Sequence, residues 1–112
     1  MERFNNWTEA YEWADENDRS LDSVWEYTGD ERLVRQYEDA GSSVEMWERI
    51  AKSRAEGETA RGGLLVTTVF VTEYIVVVCP RGANENLIHC DDEADADEVF
   101  TYEVDSIKHN NA

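Results

Sequence analysis

Lysine is nearly missing from this chain. It stands only at positions 52 and 108, and with eight arginines it leaves ten bases against 26 acids, a formal net charge of −16 over 112 residues. Such a surface has nothing to offer phosphates and no counterion release to drive binding, so direct contact with nucleic acid is not its function. Cysteine is scarce as well: Cys79 and Cys90 are the only two, which fits reduced thiols rather than a disulfide framework. Histidine occurs only at 89 and 109. No Ser, His and acid constellation, no HExxH and no glycine-rich phosphate cradle is present, so an enzyme is not expected and no cofactor is implied. No stretch approaches the roughly 18 apolar residues of a membrane span. The opening "MERFNNWTEAYEW" has neither a basic nor an apolar leader region, and a cytoplasmic setting is the expectation.

The large apolar side chains are plentiful. Hydrophobic residues make up 41% and aromatics 11%, with four Trp and five Tyr, enough to build a core and to argue against disorder. The length suits a single domain over residues 1–112. Its anomaly is the charge, because self-repulsion of this size opposes a compact state unless salt or a cationic partner offsets it.

The hydrophobic period changes along the chain. Up to about residue 57 the spacings are helical. Phe4, Trp7, Tyr11 and Ala14 recur at threes and fours behind a capping-box-like Asn6 and Glu9, which predicts a first helix over roughly 6–17. Leu21, Val24 and Trp25 predict a short second helix over 20–27. Leu33, Val34 and Tyr37 predict a third, capped by Thr28 or Asp30 and ending at Gly41. Val44, Trp47, Ile50 and Ala51 predict a fourth, from Ser42 or Ser43 to about Gly57, with Glu45–Arg49 and Glu48–Lys52 as favourable i,i+4 pairs. "LLVTTVFVTEYIVVVC", Leu64–Cys79, is β-branched and aromatic throughout, and the lack of Gly or Asn near Thr72-Glu73 favours one continuous bulged strand over a hairpin. "PRGANEN" reads as a turn, "LIHC" as a short strand and "VFTYEV", Val99–Val104, as a further strand with Phe100, Tyr102 and Val104 on one side. The fold class that follows is α+β: three to four N-terminal helices (1–57) packed on a three- to four-stranded antiparallel C-terminal sheet (62–107), with a flexible tail over 108–112.

Between the last two strands lies "HCDDEADADEVF", six acids within eight positions. Set on Asp91, the EF-hand spacing finds Asp91, Glu93 and Asp95 in its first three ligand slots, but Ala96 takes the obligatory Gly position and Tyr102 the place of the bidentate Glu. Zinc ligation by Cys79, His89, Cys90 and Asp91 matches no known spacing, since adjacent His89 and Cys90 point to opposite faces of a strand. No metal site is assigned. "LVRQYEDAGSSVEMWERI" has a helix-turn-helix outline, but its second helix would present Glu45 and Glu48 to phosphates, so it reads as a plain helical hairpin.

Two acidic surfaces remain as partner-binding candidates: the loop residues Asp91, Asp92, Glu93, Asp95, Asp97 and Glu98, and the outer face of the first helix, Glu9, Glu12 and Glu16 beside Trp13. Trp13 serves there as an interface anchor, or else packs under a neighbouring element. In size, charge and lack of catalytic motifs the chain resembles small acidic inhibitors, namely the DNA-mimic antirestriction and anti-CRISPR proteins of phages and the nuclease immunity proteins. The resemblance implies a non-enzymatic inhibitor that occupies a basic, nucleic-acid-binding surface of a partner protein. In its few lysines and many acids the chain also resembles salt-adapted haloarchaeal proteins, which implies a small cytosolic protein whose function lies elsewhere, and the second apolar face of Leu64–Cys79 suits a homodimer.

Overall fold

The computed structural model describes residues 1–110. In chain order the elements are β1 (Glu2–Phe4), α1 (Trp7–Glu16), β2 (Ser20–Leu21), β3 (Glu26–Asp39), β4 (Ser42–Glu58), β5 (Leu64–Cys79), β6 (Asn86–Cys90) and α2 (Glu93–Asn110). The strands form one six-stranded mixed sheet in the order β1-β5-β4-β2, with β3 also on β4 and β6 also on β5. The chain gathers into two compact units, Met1–Asp30 with Ile50–Glu73, and Glu31–Arg49 with Tyr74 onward.

In the first unit β1 lies parallel to β5, Glu2 opposite Val69 and Phe4 opposite Val71, and β2 lies antiparallel to β4 with Leu21 opposite Ala55. Helix α1 begins where expected, because the Asn6 side chain accepts the Glu9 N–H at 2.8 Å. Its buried positions are the small residues Ala10 and Ala14, which let the helix close onto Ala55, Val69 and Val71. Phe4, Trp7, Trp13, Leu21 and Trp25 seal the edges of this core, with the Trp7 and Trp25 rings edge to face at 4.2 Å. The inward stripe therefore runs through 10 and 14, and Tyr11, expected inside, is 55% exposed.

The second unit has its own core of Val44, Met46, Tyr74, Val76, Val78 and Cys90 from the strands and Ala96, Phe100 and Val104 from α2. Here β5 and β6 pair antiparallel, from Tyr74 opposite Cys90 to Val78 opposite Asn86. That register sets Cys90 five residues, roughly 16 Å along the strand, from Cys79, and the two are not disulfide-bonded. The β3–β4 connection turns on Ala40 and Gly41, both at positive φ (51° and 86°), the backbone of a two-residue type I′ hairpin.

The expected fold class is wrong. With 52% strand and 25% helix, the described chain holds two helices and a mixed six-stranded sheet rather than three or four helices on a small antiparallel one. Where the second, third and fourth helices were expected stand β2, β3 and β4. A spacing of four residues lies on one side of a helix and of a strand alike, so Leu33 to Tyr37 and Trp47 to Ala51 do not discriminate. The Glu, Arg, Ala and Met content of 42–58 then tilts the reading to helix, whereas cross-strand pairing decides the structure. The expected i,i+4 ion pairs give way to lateral ones: Arg32 meets Glu48 at 3.2 Å and Lys52 meets Glu26 at 3.8 Å. Conversely, the acidic "loop" and the strand after it are one 18-residue helix, α2. Residues 108–110 of the expected tail belong to that helix, and 111–112 lie outside the described residues. Leu64–Cys79 is the single continuous strand its composition predicts.

Candidate functional site

Helix α2 is built by its own sequence. The Asp92 carboxylate accepts the Asp95 N–H at 2.9 Å and the Asp92 carbonyl accepts the Ala96 N–H at 3.1 Å, so Asp92 is the N-cap. Glu93 and Asp95 occupy the first turn and Lys108 and His109 the last, each sign at the end where the helix dipole favours it. Ala96, Phe100 and Val104, four apart, enter the core, with Val99 and Ile107 beside them. Opposite this buried face, at spacings of three and four, stand Asp95, Glu98, Tyr102 and Asp105, all exposed. Tyr102 is 72% exposed in the middle of that stripe.

Three of the five bases of this unit are engaged by its own side chains. Arg32 bonds Glu48, and Arg35 bonds Asp97 at 2.9 Å while its guanidinium lies 4.3 Å over the Phe100 ring. Lys108 sits 5.4 Å over the Tyr37 ring. Among the described residues no ion pair involves Glu93, Asp95, Glu98, Glu103 or Asp105. These five charges span 12 helical steps, roughly 18 Å, or one per about 4.5 Å of axis, with Asp95, Glu98 and Asp105 on the outward face and Glu93 and Glu103 turned away from it. A single nucleic-acid strand carries one per about 3.4 Å.

Of the loop residues read from the sequence, Glu93, Asp95 and Glu98 are thus on an open helical surface. Asp92 is a cap and Asp97 an ion-pair partner, so both serve the fold. Asp91 lies half-buried just before the helix. On α1, in the other unit, Glu9, Glu12 and Glu16 are exposed, and Glu9 also accepts the Asn5 N–H at 3.3 Å. Trp13 is half-buried, its ring 5.5 Å from Phe4 and packed on the core, so it is no outward anchor. On α2 the exposed aromatic beside the acids is Tyr102, which a strand over 99–104 would place on the side of Phe100 and Val104. Its signal was the Asp92-x-x-Asp95 cap, which starts a helix rather than a strand.

Tyr74, Glu48 and Arg32 form a polar group at the edge of the second unit's core. The Tyr74 hydroxyl donates to Glu48 Oε2 at 2.8 Å and Arg32 Nη2 donates to the same oxygen at 3.2 Å. Burial pushes the Glu48 carboxyl up, but the hydrogen bonds from Arg32 and Tyr74 outweigh it and hold the group below its usual range. Burial, and then the Glu48 charge, push the Tyr74 phenol far up. In the first unit a cleft of about 380 Å³ is lined by Asp22, Val24, Glu26, Lys52, Ser53 and Arg54, but its bases pair with its acids: Lys52 with Glu26, and Arg54 with Asp22 and Glu56. Among the described residues no three His, Cys, Asp or Glu side chains converge as a metal site would require, and no helix is long and apolar enough to cross a membrane.

Comparison of the chain with protein-family models, curated proteins and solved structures finds no match. Its function is therefore read from its own residues.

Proposed function

We propose that this protein is a non-enzymatic, cytoplasmic binding protein whose acidic helix α2 occupies a basic surface of a partner protein, one that otherwise holds nucleic acid. The observation that carries this reading is the outward stripe of Asp95, Glu98 and Asp105 on helix α2, with Glu93 and Glu103 on its flanks, none of them in an ion pair among the described residues. A helix suits this role better than a loop, since its charges are held apart by the backbone and ordered before the partner arrives.

The test is a fourfold variant, Glu93→Gln, Asp95→Asn, Glu98→Gln and Asp105→Asn, which spares the cap Asp92 and the ion-paired Asp97. Four exposed pairs at roughly 0.5 kcal/mol each come to about 2 kcal/mol, roughly thirtyfold in affinity. A basic partner captured from lysate at low salt is expected to be released by salt, displaced by nucleic acid and lost to the fourfold variant. Equal binding by variant and parent removes the proposal.

One observation favours a second reading. The excess of acid is shared between the units, 12 acids to 5 bases in the first and 14 to 5 in the second, as salt adaptation would spread it. On this reading the chain is a salt-adapted protein that self-associates through the open start of β5, where Leu64 is 70% exposed and Leu65 and Val66 accompany it.

A further inference from the structure

We infer that the groove beside Tyr102 receives a single arginine side chain of the basic partner, an inference that rests on the function proposed above. The groove has a volume of about 450 Å³ and is lined by Ile88, Glu98, Val99, Tyr102 and Glu103. Ile88, from β6, and Val99 make its floor, both half-buried against the core of the second unit. The exposed Tyr102 ring is one wall. Glu98 and Glu103, five residues and so about 140° apart around the helix, flank Val99 and Tyr102 and stand at opposite rims of a groove whose lining is almost wholly apolar.

The chemistry of this lining selects its occupant. A purely apolar side chain would cover the floor and leave the two rim carboxylates unpaired. A second copy of the chain would bring 16 further net negative charges. A long side chain with an apolar stem and a cationic head satisfies every surface: stem on Ile88 and Val99, head between Glu98 and Glu103. The aromatic wall favours the planar, weakly hydrated guanidinium over the ammonium, because it stacks on a ring while its N–H groups reach carboxylates. The same helix already holds an arginine in this manner. Arg35 lies over Phe100 at 4.3 Å and bonds Asp97, three residues before that ring, at 2.9 Å. Tyr102 with Glu98 repeats the pairing of aromatic and preceding carboxylate on the outward side, with no base of the chain in ion-pair contact among the described residues.

Two probes separate this inference from the broader reading. Nα-acetyl-arginine amide titrated into the isotope-labelled full chain should give saturable NMR shifts at Ile88, Val99 and Tyr102. The lysine analogue should bind roughly three- to tenfold more weakly. Tyr102→Ala should erase the preference for arginine and Tyr102→Phe should keep it; both should retain the parent thermal midpoint, since the ring is exposed. Nona-arginine reports the acidic face as a whole and should lose affinity in the fourfold variant. If nona-arginine binds the parent and not the fourfold variant, while the arginine amide gives no localised shifts or binds Tyr102→Ala as well as the parent, the arginine site falls and the proposed function stands. If nona-arginine also fails to bind the parent, both fall.

Discussion

Glu48 takes two hydrogen bonds on one oxygen, from a buried phenol and a guanidinium, and its depressed carboxyl makes a prediction with a definite sign. A lowered folded-state value contributes stability above the ordinary glutamate range, and that contribution is lost as pH falls through the depressed value. Tyr74 contributes oppositely: its raised phenol adds stability below the usual tyrosine value near 10, lost as pH climbs toward the raised one. Tyr74→Phe should therefore cost about 1.5–3 kcal/mol at neutral pH, the usual worth of a hydrogen bond to a charged group. It should also move the acid limb of stability to higher pH and flatten the alkaline limb. Urea midpoints from pH 3 to 11 check this, and an acid limb that does not move shows that Arg32 alone sets the Glu48 carboxyl. None of this group was legible in the sequence, because Arg32, Glu48 and Tyr74 meet only through strand pairing.

At the scale of elements, α2 is the instructive case. Its cap, its dipole-matched ends and its period of four were all present in the sequence, but six acids in a row of eight read as a solvated turn, and "VFTYEV" alternates well enough to pass for a strand. Phe100 and Val104 are buried while Tyr102 between them is exposed, a combination that a helix gives and no alternating pattern allows. Replacing Asp92 separates its cap from its charge. Asp92→Ala should destabilise the fold by about 1 kcal/mol, while Asp92→Ser, which keeps a cap oxygen and removes a negative charge, should match or exceed the parent. Urea denaturation measures both; equal losses in the two variants would mean that the cap oxygen is not the stabilising feature. The β3–β4 hairpin was missed for the reverse reason. Asp39-Ala40-Gly41 looks like a helix stop when it is a hairpin turn, and only the positive φ at both Ala40 and Gly41 distinguishes them.

The molecule as a whole carries its charge in both units, −7 in the first and −9 in the second. Its recorded ion pairs join strand and loop residues to one another, apart from Asp97, and so leave the outer faces of α1 and α2 unneutralised. Repulsion along those faces should be screened as the Debye length falls to about 3 Å at 1 M salt. The thermal midpoint is expected to rise by roughly 5 to 10 °C between 20 mM and 1 M sodium chloride, equivalent to about 1–2 kcal/mol for a domain of this size. Calorimetry at the two salt concentrations decides it. A midpoint indifferent to salt shows that the acids do not strain the fold and takes away the main support of the salt-adapted reading.

By itself the sequence determined what is local or summed: the net charge, the first helix with its Asn6 cap, the unbroken strand Leu64–Cys79 and the absence of catalytic motifs. Each follows from residues within a few positions of one another, or from counting. Only the tertiary structure decided that 26–58 are strands, because their apolar spacings of four suit both periods and the deciding hydrogen bonds go to residues distant in sequence. It also decided which acids are free. Asp92 and Asp97 look no different in sequence from Asp95 and Glu98, and they become structural only because the helix begins at one and Arg35, 62 positions away, reaches the other.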